Sequence, residues 1–102
     1  MYLRCESKKT EAYIFWRQFL GLSATVQTRF DQGEPTSREW VLSTDRQGTF
    51  FAGSGLQFVL LAISASRLAA QVTPSVGQRA TAVFDLTGAK AVADKLRKAC
   101  NW

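Results

Sequence analysis

The two cysteines of this chain lie almost at its two ends, and their placement constrains the fold more than any other feature. Cys5 and Cys100 are the only cysteines among 102 residues. A disulfide between them would close a loop of nearly the whole chain, and loop-closure entropy makes a loop of that size worth about 4.7 kcal/mol. A redox pair is normally spaced C-x-x-C, so this spacing favours a structural bridge and an oxidising compartment. The alternative is two buried free thiols in a cytosolic protein.

The chain contains no histidine, which excludes several kinds of site. Ser-His-Asp catalysis, Cys-His catalysis and imidazole acid–base chemistry all need that residue. A zinc site needs about four ligands, more than two cysteines supply. The sequence also has no nucleotide-binding loop and no G-x-S-x-G motif. We therefore expect a chain that is not an enzyme and that binds no metal and no cofactor.

Length and composition predict one globular domain over residues 1–102, which the disulfide would cross-link. Apolar residues make up 46% and charged residues 21% of the chain, close to the averages for globular proteins. The longest apolar run, 58–63, is far shorter than the roughly 20 residues that cross a bilayer. Because residues 1–9 are polar, we expect neither membrane insertion nor a signal peptide within this fragment.

Short segments of alternating polarity predict a mainly β fold. Residues 26–30 and 38–44 have one apolar face each and are separated by a turn, which predicts a hairpin. Residues 12–16 are apolar on both faces, which is typical of a central, buried strand. The full set of predicted strands is 2–6, 12–16, 26–30, 38–44, 49–52, 67–73 and 79–86.

Two segments have helical spacing instead. Ser54 and Gln57 form a capping-box pattern, and the apolar residues that follow predict a mostly buried helix at about 55–65. An apolar stripe that ends at Cys100 predicts a C-terminal helix at about 88–100, which would turn Cys100 toward the sheet. The fold class is therefore mainly β (α+β): a compact antiparallel sheet or β-sandwich of about six or seven strands, with one inserted helix and one C-terminal helix.

The candidate partner-binding residues lie in turns and at strand ends. Asp45 is a candidate general base, although short polar residues in such a turn ordinarily hydrogen-bond their own backbone. Three arginines would bind carboxylates or phosphates if they cluster, and the alternative is a scattered solubilising surface. Since Lys and Arg are spread along the chain without a stripe, no nucleic-acid partner is expected. The candidates are Arg29, Asp31, Arg38, Ser43, Thr44, Asp45 and Arg46.

Seven short motifs occur in order along nearly the whole chain, and together they resemble the VasI family, also called TagO, of type VI secretion accessory proteins. The motifs are L-R-C, Y-I-x-W, V-x-x-R-x-D, W-x-x-S-T-D, R-L-x-x-x-V-T-P, T-A-x-F-D-x-x-G and L-R-x-A-C-x-W. The first begins at Leu3 and the last ends at Trp102. Both cysteines lie within motifs of this series.

The resemblance implies an exported protein of the periplasm of a Gram-negative bacterium, of which this chain is the C-terminal domain. We expect a non-enzymatic accessory or adaptor domain that binds a protein or a cell-wall component of the envelope. One alternative is a small periplasmic inhibitor or immunity protein that presents a loop to a toxin. The other is a cell-wall hydrolase in which Asp45 acts with Asp31 or Glu34, at a separation of about 5 to 9.5 Å.

Overall fold

A single sheet of seven antiparallel strands forms most of the molecule in the computed structural model, which describes residues 1–102. The order of the strands across the sheet is β1-β2-β5-β4-β3-β6-β7, so β1 and β7 form its two edges. Two helices, α1 between β5 and β6 and α2 after β7, complete the fold. The elements are β1 (Tyr2–Glu6), β2 (Lys9–Phe15), β3 (Ala24–Phe30), β4 (Thr36–Leu42), β5 (Gly48–Phe50), α1 (Gly55–Ile63), β6 (Arg67–Pro74), β7 (Ala80–Asp85) and α2 (Ala89–Cys100).

The sheet curls around α1, and the core lies on the inner side of this curl. Phe58 of α1 is buried at the centre, and its ring contacts those of Phe30, Trp40 and Phe51, with centroids 5.5, 5.7 and 4.9 Å apart. Gly55 begins the helix directly against the backbone of Thr10, where a Cβ atom would collide with the carbonyl. The helix therefore depends on glycine at this close approach.

Alternation places one side of each strand in this core. On β6, Leu68, Ala70 and Val72 are buried, and β3 pairs with β6 so that Val26 lies opposite Val72. The predicted hairpin of the third and fourth strands is confirmed, with Val26 opposite Arg38. The antiparallel-sheet form of the predicted fold is thus the one adopted, and no second sheet is present to form a sandwich.

Two predicted elements differ from the structure in their burial. On β2, Ala12 and Ile14 are buried while Phe15 is 41% exposed, because nothing covers the outer face of the single sheet. The predicted mostly buried helix has a second, exposed side on which Leu61 is 56% accessible. It also ends at Ile63 rather than near residue 65.

The predicted disulfide is confirmed and joins the first strand to the last helix. Cys5 and Cys100 are bonded, with Cα atoms 5.7 Å apart and a sequence separation of 95 residues. The indole Nε1 of Trp102 also donates a hydrogen bond to Thr10 Oγ1 at 2.9 Å, which holds the end of the chain against β2. The two cysteines leave no free thiol.

Candidate functional site

Three aromatic side chains form a row on the outer face of the sheet. The strand register places Tyr2 of β1 opposite Tyr13 of β2, and Tyr13 opposite Phe50 of β5. Their ring centroids are 6.0 and 4.7 Å apart along the row. Tyr2 is 63% exposed, whereas the other two rings are half-buried against their neighbours. The row is therefore a preformed aromatic surface that faces solvent.

Arg4 adds a fixed cation beside this row. Its guanidinium carbon lies 5.0 Å from the centroid of the Phe50 ring, a cation–π arrangement. Its Nε and Nη2 atoms donate to one carboxylate oxygen of Glu11, at 3.2 and 3.1 Å. Arg4 and Glu11 are directly opposite each other on β1 and β2, so the ion pair is a cross-strand contact.

Gly48 allows the row to lie flat on the sheet. The ring of Tyr13 occupies the space over Gly48 on the neighbouring strand, and a Cβ atom there would overlap the ring. Glycine is therefore required beside Tyr13 for its packing rather than for its backbone angles.

The turn of residues 43–47 borders one end of the row. Ser43 Oγ donates to Asp45 Oδ1 at 2.6 Å and accepts from the Gly48 N–H at 3.0 Å. The Gln47 N–H donates to the same carboxylate oxygen at 3.1 Å. These hydrogen bonds favour the ionised carboxylate and hold the pKa of Asp45 below its ordinary value of 3.8. The bond from the Ser43 hydroxyl has the larger effect, and the bond from the Gln47 N–H has the next largest. The sequence interpretation of this segment as a self-bonded turn is confirmed.

Together these residues line an open groove of about 750 Å³ on the outer face of the sheet. The aromatic row forms its apolar wall, and Arg4, Ser43 and Asp45 provide polar groups. A concave site of this kind binds a ligand through apolar faces and orients it through a few polar groups. Asp45 is the one carboxylate that lines the groove. The full lining is Tyr2, Leu3, Arg4, Tyr13, Ser43, Thr44, Asp45 and Phe50; we call it the aromatic groove.

The other sequence candidates lie outside the aromatic groove. Arg29 does not pair with Asp31: its Nε donates to the Gly33 carbonyl at 3.0 Å, whereas Asp31 accepts from the backbone N–H groups of Ser66 and Arg67 at 2.9 to 3.2 Å. Both side chains thus fix turns, as capping groups do.

The three arginine candidates do not form a cluster. Arg38 lies on the inner side of the curl, with its guanidinium carbon 5.1 Å from the Phe51 ring centroid. Val26 of β3 is buried on that inner side, directly opposite Arg38. Arg29 lies on β3 an odd number of residues from Val26, so its side chain points to the other face of the sheet. Arg46 donates to the Gly21 carbonyl at 3.1 Å and so joins two loops. The three arginines are therefore spread over the surface, as in the alternative of a scattered solubilising surface.

The carboxylate pair of the hydrolase alternative is not assembled. Asp31 and Glu34 precede β4, and Asp45 follows it. The seven residues of β4 span about 23 Å at about 3.3 Å per residue. Glycoside hydrolysis by two carboxylates needs a separation of at most about 9.5 Å. Asp45 therefore has no acid partner from that turn.

Sequence reasoning assigned Tyr13 to the core and missed the aromatic row. The available signal was the alternation of β2: if Ala12 and Ile14 face inward, Tyr13 and Phe15 must face outward. The contribution of Tyr2 and Phe50 depends on the register of three strands that are distant in sequence.

No family model, curated protein or solved structure shows significant similarity to this chain. Neither helix is long and apolar enough to cross a membrane. No group of three or more His, Cys, Asp or Glu side chains is arranged to hold a metal ion.

Proposed function

We propose that this chain is a non-enzymatic accessory or adaptor domain of the type VI secretion system and that it works in the periplasm. In this proposal the domain binds the glycan of the cell wall, and the aromatic groove is the binding site. The aromatic row of Tyr2, Tyr13 and Phe50 is the observation that carries the glycan assignment. The motif series supports the secretion-system part, and the Cys5–Cys100 bridge is compatible with an oxidising compartment.

The chemistry of the groove suits a sugar polymer. Sugar rings present C–H bonds on their faces, and the negative face of an aromatic ring attracts such weakly positive hydrogens. Spacings of 4.7 and 6.0 Å between the rings give a continuous surface rather than a single contact. The Asp45 carboxylate and the Arg4 guanidinium supply an acceptor and donors for hydroxyl groups at the edge of this surface. A single lining carboxylate suits binding rather than two-carboxylate hydrolysis.

Co-sedimentation with purified cell-wall sacculi tests the proposal. We expect wild-type protein to sediment with the sacculi, and Tyr2→Ala to weaken binding about tenfold, because the most exposed ring of the row is lost. Phe19→Ala is the matched control, since Phe19 is also an exposed aromatic but lies outside the aromatic groove. Equal binding by wild type and Tyr2→Ala would contradict the glycan assignment.

Two further outcomes distinguish the alternatives. Capture of one tight toxin partner from an envelope extract, with no affinity for sacculi, would replace the proposal with an inhibitor or immunity function. Turnover of peptidoglycan that Asp45→Asn abolishes without unfolding would replace it with a hydrolase. Recovery of secretion-machine components together with binding to sacculi is the result that the proposal requires.

A further inference from the structure

The β7 edge of the sheet is open. β7 forms backbone pairs with β6 along one side, and no strand pairs with its other side. β1 forms the other edge of the sheet, and its Leu3 lines a groove of about 240 Å³ together with Met1 and with Phe84 and Asp85 at the end of β7. Half of the backbone N–H and C=O groups of β7 therefore point away from the sheet.

The two edges differ in how they are protected against pairing. β1 carries Arg4 and Glu6 among its five residues, and its Cys5 is bonded to α2. Charged side chains and covering elements are the usual devices that keep an edge strand from pairing with another chain. β7 reads A-T-A-V-F-D, with no charge before its last residue and no proline. Val83, in its middle, is 61% exposed.

Geometry restricts how two copies of β7 can meet. In an antiparallel pair, residues directly opposite each other are either both hydrogen-bonded or both non-hydrogen-bonded, and the two types alternate along a strand. When two copies of one strand pair, a residue must therefore lie opposite a residue of the same type of pair. This requires a two-fold axis that passes between the two copies of one residue. An axis at Ala82 places Ala80 opposite Phe84 and Thr81 opposite Val83 of the other copy.

The same axis makes the charges complementary. Arg79, one residue before β7, then lies opposite Asp85 of the other copy, and by symmetry the pair occurs twice. Within the chain Arg79 makes no ion pair. Asp85 accepts a hydrogen bond from the Thr87 N–H at 2.9 Å and forms no ion pair within the chain. Arg67, its neighbour on β6, forms no ion pair with it. Opposite charges directly across a strand pair are stabilising.

We propose that two copies of this chain associate through antiparallel pairing of their β7 strands about a two-fold axis at Ala82, with two Arg79–Asp85 ion pairs between the copies. In this dimer the two sheets of seven strands join into one continuous sheet of fourteen strands. Its interface is small, so the association is weak and depends on concentration. The aromatic groove is lined by residues of β1, β2 and β5 and of the turn after β4, and β7 contributes none of them.

Sedimentation equilibrium over a wide range of concentrations tests the dimer with charge variants. Arg79→Asp and Asp85→Arg each place like charges opposite each other twice, so each alone should weaken self-association about tenfold or more. An equimolar mixture of the two variants restores both attractive pairs and should associate as well as wild type. Circular dichroism and thermal unfolding establish that each variant is folded.

A cysteine variant tests the axis itself. Ala82→Cys places the new thiols opposite each other, and mild oxidation should produce a covalent dimer with the Cys5–Cys100 bridge intact. Thr81→Cys is the control, because that position faces Val83 of the other copy and should cross-link much less. A protein that stays monomeric at every concentration, a dimer that neither charge variant weakens, or a loss that the mixture does not restore would each overturn the proposal.

Discussion

At the scale of the single residue, the Asp45 carboxylate organises the turn that borders the aromatic groove. It accepts hydrogen bonds from the Ser43 hydroxyl and the Gln47 N–H, and its side chain is exposed to solvent. Hydrogen bonds that favour the charged form lower the pKa of a carboxyl group. A pKa that is lower in the folded than in the unfolded chain means that the ionised form stabilises the fold.

We therefore expect the contribution of Asp45 to stability to depend on pH. It is fully present above the ordinary carboxyl value of 3.8 and is lost as the pH falls through the lower folded pKa. Asp45→Asn should lower the unfolding temperature at neutral pH, and the difference from wild type should shrink toward acid pH. Thermal unfolding of both proteins across this range of pH measures the difference in unfolding temperature. Asp94→Asn is the control, since Asp94 accepts no hydrogen bond, and a difference for Asp45→Asn that does not change with pH would contradict the prediction.

At the scale of the element, the strands and helices follow from local patterns, while their arrangement does not. Alternation and turn residues predicted all seven strands, and the capping pattern at Ser54 predicted α1, whose Gln57 N–H donates to the Ser54 hydroxyl. The insertion of β5 between β2 and β4 has no local signal, because pairing of distant strands is decided by the packing of the core. The aromatic row depends on this insertion and was missed for the same reason.

The two sides of α1 give a second prediction. Phe58→Ala should destabilise the fold by about 3 to 5 kcal/mol, because the ring fills the centre of the curl and leaves a cavity. Leu61→Ala, on the exposed side of the same helix, should change stability by no more than about 0.5 kcal/mol. Denaturant unfolding of both variants measures the difference. A cost at Leu61 comparable to that at Phe58 would mean that another surface covers this side of the helix.

At the scale of the whole molecule, the ends of the chain are held together by one covalent bond. The bridge joins β1 to α2, and a small buried cluster of Val59, Ala93 and Leu96 packs α1 against α2 beside it. The Trp102–Thr10 hydrogen bond lies at the same end of the fold. The position of the last helix thus depends on contacts between residues from opposite ends of the sequence.

Loss of this bridge should therefore destabilise the whole domain. Replacement of both cysteines, Cys5→Ser with Cys100→Ser, removes the restriction that the bridge places on the unfolded chain, with an expected loss of up to about 4.7 kcal/mol for a loop of this length. Chemical denaturation of the variant and of the oxidised protein measures the change. The native protein should show no alkylatable thiol and a mass two hydrogens below that of its reduced form. Because the mechanism acts through the unfolded state, the spectrum of the folded variant should match that of the wild type, and an unchanged free energy of unfolding would contradict the prediction.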